Sequence, residues 1–109
     1  MGATVFFLVL GLFDPLKLTV DPHQCLSPCD VTVTATAKRD PDNAFLELII
    51  DSPDYNSDTV QPVGPEGVQI PLKLNALEAG DYKVFAVLFR VIKGHVQDVS
   101  RQREQFQVR

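Results

Sequence analysis

The sequence of 109 residues contains no tryptophan and only two tyrosines, two cysteines and two histidines. So few histidines and cysteines leave little material for a zinc site or a catalytic triad, which combine several such side chains. Lysine and arginine number 10 against 14 acidic residues and form no cluster, which argues against nucleic-acid binding. The sequence has no glycine-rich phosphate loop and no serine nucleophile elbow. The composition therefore favours a protein without catalysis, a cofactor or a nucleic-acid partner.

Long hydrophobic runs are also scarce, and the one uncharged run lies near the N-terminus. It covers the eleven residues 3–13, ATVFFLVLGLF, whereas a membrane-spanning helix needs about 20 apolar residues. No basic residue precedes the run, and no small-residue cleavage pattern follows it. Three interpretations of residues 1–13 stay open. They are a β-strand, either buried in the fold or used as an interface or donor strand, that includes Phe6, Leu8 and Leu10; a signal remnant; and a helical or membrane-peripheral anchor.

From residue 14 onward, short runs of alternating apolar and polar residues are separated by turn residues. The alternation is clearest from Val31 to Lys38, where every second residue is threonine or lysine. A period of two is typical of a half-buried strand, and such strands at this spacing indicate an all-β sandwich. Pro71 within one run predicts an edge strand, and Lys93-Gly94 predicts a tight hairpin turn. We predict one domain, residues 14–109, of about seven strands.

The segment LEAGDYKV, which begins at Leu77, resembles the L-x-A-G-x-Y-x-V entry to the penultimate strand of immunoglobulin-like and fibronectin type III-like sandwiches. In immunoglobulin domains a cysteine follows the tyrosine by two positions, and here that position is Val84. The resemblance is closest to the bacterial immunoglobulin-like modules of secreted and surface proteins. It implies an antiparallel immunoglobulin-like sandwich in which Gly80 and Tyr82 are structural and the tyrosine hydroxyl bonds to nearby backbone. Such modules serve as spacers, adhesin segments or subunit-binding domains.

The two cysteines, Cys25 and Cys29, are close in sequence. The three intervening residues, with Pro28 among them, allow a chain reversal that would bring their Cα atoms within the roughly 4.4 to 6.8 Å that a disulfide requires. A structural disulfide would indicate an oxidising compartment, such as the cell exterior, the cell surface or the periplasm. The alternatives are a reduced pair and a copper site with His23 or His95, which would resemble copper chaperones whose helices this sequence lacks.

Acidic side chains are grouped in one turn, at Asp40, Asp42 and Asn43. They supply fewer than the six to eight oxygens, roughly, that calcium takes. A second acidic group, within 51–58, is expected at the opposite end of the sandwich. Solvated turn residues explain both groups, so we predict no metal site.

Apolar residues occupy both faces of two predicted strands that should be neighbours in one sheet. If Val84, Ala86 and Leu88 point into the core, the alternate residues point outward. The outward set is Phe45, Ile49, Phe85, Val87, Phe89 and Val91. An apolar patch of this size is expected to be covered, either by residues 1–13 of the same chain or by a partner subunit. A shift of register by one residue would reverse the assignment.

We therefore expect a non-catalytic structural or interaction module of a secreted or surface assembly. It would self-associate through the apolar sheet face and the N-terminal strand. In the extreme form, residues 5–12 complete a neighbour's sheet and produce a filament. The alternative is a ligand- or carbohydrate-binding accessory domain of a larger extracellular protein. Sugar-binding faces favour tryptophan and tyrosine, however, and only Tyr55 and Tyr82 are available.

Overall fold

The computed structural model describes residues 14–109, which form eight strands and no helix. The strands are β1 (Leu16–Asp21), β2 (Gln24–Cys25), β3 (Cys29–Ala37), β4 (Asn43–Asp51), β5 (Asn56–Pro62), β6 (Val68–Leu77), β7 (Gly80–Ile92) and β8 (His95–Val108). The seven long strands correspond to those expected, and β2 is the addition. The all-β prediction is confirmed. The N-terminal residues 1–13, with Phe6, Leu8 and Leu10, lie outside the described residues.

The strands form a three-stranded sheet, in the order β1-β3-β6, and a five-stranded sheet, in the order β2-β8-β7-β4-β5. All pairings are antiparallel except the short β2–β8 pairing, which is parallel. Buried side chains from both sheets form one hydrophobic core. The fold is therefore an antiparallel β-sandwich, as predicted.

Alternation along the strands produces this core. Val31, Val33 and the two alanines that follow in β3 are buried, while the threonines between them are half-buried on the outside. In β7 the side chains of Val84, Ala86 and Leu88 are fully buried. The inward set was therefore assigned correctly, and the register shifted by one residue is excluded.

Two local predictions about chain geometry are also confirmed. A two-residue turn joins β7 to β8, with φ of 53° at Lys93 and 78° at Gly94. Positive φ at both positions is typical of a type I′ turn, whose twist suits a hairpin. Pro71 lies in β6, which pairs only with β3 and is thus an edge strand.

Tyr82 occupies the core near the start of β7, which begins at Gly80. Its side chain is 3% exposed, and its ring stacks on Phe106 with centroids 4.8 Å apart. The Tyr82 hydroxyl donates a 2.7 Å hydrogen bond to the backbone carbonyl of Glu78. Burial, followed by the charges of Glu78 and Asp54, raises the pKa of Tyr82. The predicted buried tyrosine with its backbone hydrogen bond is therefore present.

Cys25 and Cys29 form the predicted disulfide, with Cα atoms 6.2 Å apart. Cys25 belongs to β2 of the five-stranded sheet, whereas Cys29 begins β3 of the three-stranded sheet. The bond therefore joins the two sheets at one end of the sandwich. Nearby, the Arg109 amide donates to the Cys25 carbonyl at 2.8 Å, and the Ser27 amide donates to the Arg109 carbonyl at 2.7 Å.

Candidate interaction surface

The outer face is the solvent side of β4, β5, β7 and β8 in the five-stranded sheet. On it, Phe45 of β4 pairs with Phe89 of β7, and Ile49 pairs with Phe85. The two rings of Phe45 and Phe89 stack with centroids 4.7 Å apart. Val87 lies between these two pairs, opposite Glu47. The structure therefore brings the predicted outward residues of β4 and β7 together.

The apolar patch consists of Phe45, Ile49, Phe85, Val87, Phe89 and Val91. Its exposure is uneven, because Val87 is only 8% exposed at the centre whereas Val91 is 41% exposed at one end. The three phenylalanines and Ile49 are half-buried. Residues 14–109 therefore leave the patch partly exposed to solvent, as a shallow apolar surface.

Sequence reasoning missed two members of this surface. Val60 of β5 lies opposite Glu47, Val96 of β8 lies opposite Val91, and each is 57% exposed. Val96 could have been found, because a two-residue turn at Lys93-Gly94 places it opposite Val91. Val60 carried no such signal, since its strand lies within a polar segment.

A depression of about 650 Å³ opens on the outer face. Ile49, Phe85 and Val87 contribute apolar atoms to it, whereas Asp58 and Arg103 line it from β5 and β8. The Arg103 guanidinium carbon lies 5.9 Å from the centre of the Phe85 ring, which is within cation–π range. The surface therefore combines an apolar floor with charged sides.

The charges on the two sides have opposite sign. Arg101 and Arg103 of β8 lie opposite Val87 and Phe85, so they belong to the outer face. Arg101 is paired with Asp98, to which its Nε donates at 3.0 Å. Arg103 forms no ion pair with any residue of 14–109. The β8 side of the outer face thus presents a guanidinium group without a carboxylate.

The opposite side carries two carboxylates, those of Glu47 in β4 and Asp58 in β5. Neither forms an ion pair within the described chain. A hydrogen bond with Asp58, partial desolvation and the Asp58 charge raise the pKa of Glu47, in that order of importance. The two acids therefore repel each other when both are ionised, and no cation of residues 14–109 neutralises them.

The acidic turn is held by bonds within the chain. Asp40 Oδ1 accepts the Asp42 amide at 2.9 Å, and Asp40 Oδ2 lies 3.5 Å from Arg90 Nη1. Asn43 Oδ1 accepts Arg90 Nε at 3.1 Å. Within 14–109 no three His, Cys, Asp or Glu side chains form a group suited to a metal ion. These residues stabilise the loop between β3 and β4.

The copper interpretation is wrong. Cys25 and Cys29 are consumed in the disulfide, which removes both thiol ligands. The His23 ring contacts Glu104 at 3.2 Å. His95 is the first residue of β8, whereas His23 lies next to β2, which pairs with the last residues of β8. The two histidines are therefore separated by most of the length of that strand.

The comparisons with known proteins add no relative: no protein-family model and no curated protein sequence matches this chain. In the described part of the chain, no helix is long and apolar enough to cross a membrane.

Proposed function

We propose that this protein is a non-catalytic interaction module that self-associates through its outer face. The observation that carries the proposal is the continuous apolar patch on β4 and β7, extended by Val60 and Val96 at 57% exposure each. The outside of the three-stranded sheet has the polar character expected of a surface in water, with threonines along β3. The contrast between the two faces of one small domain supports an interface on only one of them.

The proposal includes the apolar N-terminal residues as a second interface element. Asp14 accepts hydrogen bonds from Ser100 Oγ at 3.1 Å and from Gln102 Nε2 at 2.6 Å. The chain therefore enters the sandwich beside β8, the strand that carries Arg101 and Arg103. At about 3.3 Å per residue, an extended segment of this length reaches roughly 40 Å, so it is long enough to cross the outer face of its own or a neighbouring sheet. In a repeating arrangement, donation of residues 5–12 to a neighbour would produce a filament.

We further propose that the sandwich is of the immunoglobulin-like or fibronectin type III-like kind. The support is the hydrogen bond from the Tyr82 hydroxyl to the backbone four residues upstream, together with the strand order of the two sheets. The disulfide at the sheet edge and the lack of a helix that could cross a membrane within 14–109 are compatible with a secreted or surface location.

Sedimentation of the full chain and of the variant F85K/F89K tests self-association through the outer face. We expect the full chain to form dimers or larger species and F85K/F89K to sediment as a monomer, because two buried ammonium groups oppose apolar contact. Circular dichroism and thermal unfolding report whether the variant is folded. The matched control is T34K/T36K on the outside of the three-stranded sheet, which should associate like the parent.

A chain without residues 1–13 separates the two interface elements. If these residues seal an interface, their removal weakens association and leaves the unfolding midpoint of the monomer nearly unchanged. A full chain that stays monomeric, or an F85K/F89K variant that associates like the parent, would refute the proposed function.

A further inference from the structure

We infer that the partner is a second copy of this chain, packed outer face to outer face about a two-fold axis that runs along the strands. This inference rests on the proposed self-association and adds its geometry. It depends on how charged residues are placed at the two sides of the apolar patch.

One cross-strand row runs through the centre of the outer face. Asp58 of β5 lies opposite Ile49 of β4, Ile49 lies opposite Phe85 of β7, and Phe85 lies opposite Arg103 of β8. The row therefore begins with a carboxylate and ends with a guanidinium, separated by three strand spacings or about 14 Å. The two central side chains are apolar.

The next row has the same polarity. Across the sheet, Val60 of β5 lies opposite Glu47 of β4, Glu47 lies opposite Val87 of β7, and Val87 lies opposite Arg101 of β8. Across both rows, the acidic residues belong to β4 and β5 and the basic residues belong to β8. In these two rows the carboxylates thus lie on the β4–β5 side and the arginines on the β8 side, where Asp98 neutralises Arg101 and Arg103 has no ion pair within residues 14–109.

Two face-to-face copies related by a two-fold axis can be arranged in two extreme ways. If the axis runs across the strands, β8 of one copy covers β8 of the other, and like charges meet. If the axis runs along the strands between β4 and β7, β8 covers β5, so Arg103 meets the partner's Asp58 in the same row. The same rotation places Phe85 over the partner's Ile49 and Phe45 over the partner's Phe89. Only the second arrangement is complementary both in charge and in apolar contact.

The state of these charges within one chain supports the inference. Arg103 has no carboxylate partner among residues 14–109, and Asp58 and Glu47 have no cation. Asp58, through a hydrogen bond first and its charge last, contributes to the raised pKa of Glu47, and a guanidinium group from a second copy would offset that charge. The rotation therefore brings Arg103 and Asp58, which form no ion pair within residues 14–109, into contact across the dimer, and it places Glu47 over the partner's Val87 next to that contact.

Charge reversal at the two ends of the central row tests the geometry. R103E places carboxylates on both sides of the face, and D58R places guanidinium groups on both sides. We expect the dissociation constant of either variant alone to rise about tenfold or more, because like charges then meet twice in each dimer. An equimolar mixture should restore parental affinity as a heterodimer, which native mass spectrometry distinguishes from both homodimers. The matched control K73E reverses an exposed charge on the other sheet and should leave the dissociation constant unchanged.

The outcomes separate this geometry from the proposed function. If F85K/F89K abolishes association but R103E and D58R do not weaken it, the two-fold geometry is overturned while the interaction face stands. The geometry is also overturned if both variants weaken association and their mixture is no better. If the full chain is monomeric and becomes unstable without residues 1–13, the face is covered within one chain, and both the geometry and the proposed self-association fail.

Discussion

At the scale of single residues, the outer face differs from the core in how its polar groups are satisfied. Within 14–109 no buried side-chain nitrogen or oxygen lacks a hydrogen-bond partner, as the Tyr82 hydroxyl illustrates with its bond to the Glu78 carbonyl. Glu47, by contrast, lies on the outer face between Val60 and Val87, and a second acid, Asp58, helps to raise its pKa. This pair of neighbouring acids lies on the surface proposed as an interface.

The raised pKa of Glu47 predicts a pH dependence of stability. The folded protein binds the proton of the Glu47 carboxyl more tightly than the unfolded chain does. The stability gained from this protonation is therefore complete below the pKa of the unfolded chain, near 4.5, and is lost as the pH rises through the pKa of the folded protein. We expect E47Q to be more stable than the parent at pH 7 and to lose less stability between pH 4.5 and 7. Denaturant midpoints measured across this range in dilute, monomeric protein provide the test, with E66Q as control. An E47Q curve parallel to that of the parent contradicts the assignment.

At the scale of elements, the β7–β8 hairpin organises the outer face. Its two-residue turn pairs Val91 with Val96 and Phe89 with Asp98. A register shift follows between Leu88 and Phe89, where β8 contains one extra residue, Val99. Without that bulge, the pairing set by the turn would place Gln102 opposite Phe85, and the arginines of β8 would face the other way. The bulge therefore puts the basic side chains on the outer face.

The turn of this hairpin can be tested directly. Gly94 has a φ of 78°, and no atom lies within 4 Å of a Cβ built there, so backbone conformation alone opposes a side chain. We expect G94A to lower the free energy of unfolding by about 1 to 2 kcal/mol. K93N should leave stability unchanged or raise it, because asparagine is favoured at the first position of this turn. Equilibrium urea unfolding measures both, and a neutral G94A would mean that the turn adopts another conformation.

At the scale of the whole molecule, three kinds of contact join the two sheets: the hydrophobic core, one disulfide and hydrogen bonds to Asp14. The hydrophobic core holds them together over most of their area. The Cys25–Cys29 bond adds a covalent link between β2 and β3, and Asp14 adds hydrogen bonds to β8 near the start of β1. The apolar patch of the outer face lies outside this core, as the proposed interface requires.

The disulfide has a modest expected contribution because it closes a small ring. Replacement of both Cys25 and Cys29 by serine should lower the free energy of unfolding by about 2 kcal/mol and leave the fold intact. Urea unfolding of the double variant, compared with the oxidised and reduced parent, measures the effect. Alkylation before and after reduction, followed by mass measurement, checks the bond itself. Free thiols in folded, unreduced protein would contradict both the bond and the oxidising compartment inferred from it.

Local patterns were enough to predict much of this protein. The alternation in β3, the proline in β6 and the Lys93-Gly94 turn each act within one strand or one hairpin. The apolar residues of β4 and β7 were assigned to one face for the same reason, since side chains alternate along every strand. The Cys25–Cys29 bond was predictable because the two residues are close in sequence.

Only the tertiary structure decided which charges surround the apolar patch. Arg103 lies opposite Phe85 because of the bulge at Val99, and Asp58 reaches the same row through the pairing of β5 with β4. Both depend on register between strands, which is set by the packing of the whole sheet on the core rather than by the residues of one strand. Sequence alone therefore determined the all-β fold and the apolar face, whereas the opposite charges at its two sides arise from pairing across strands.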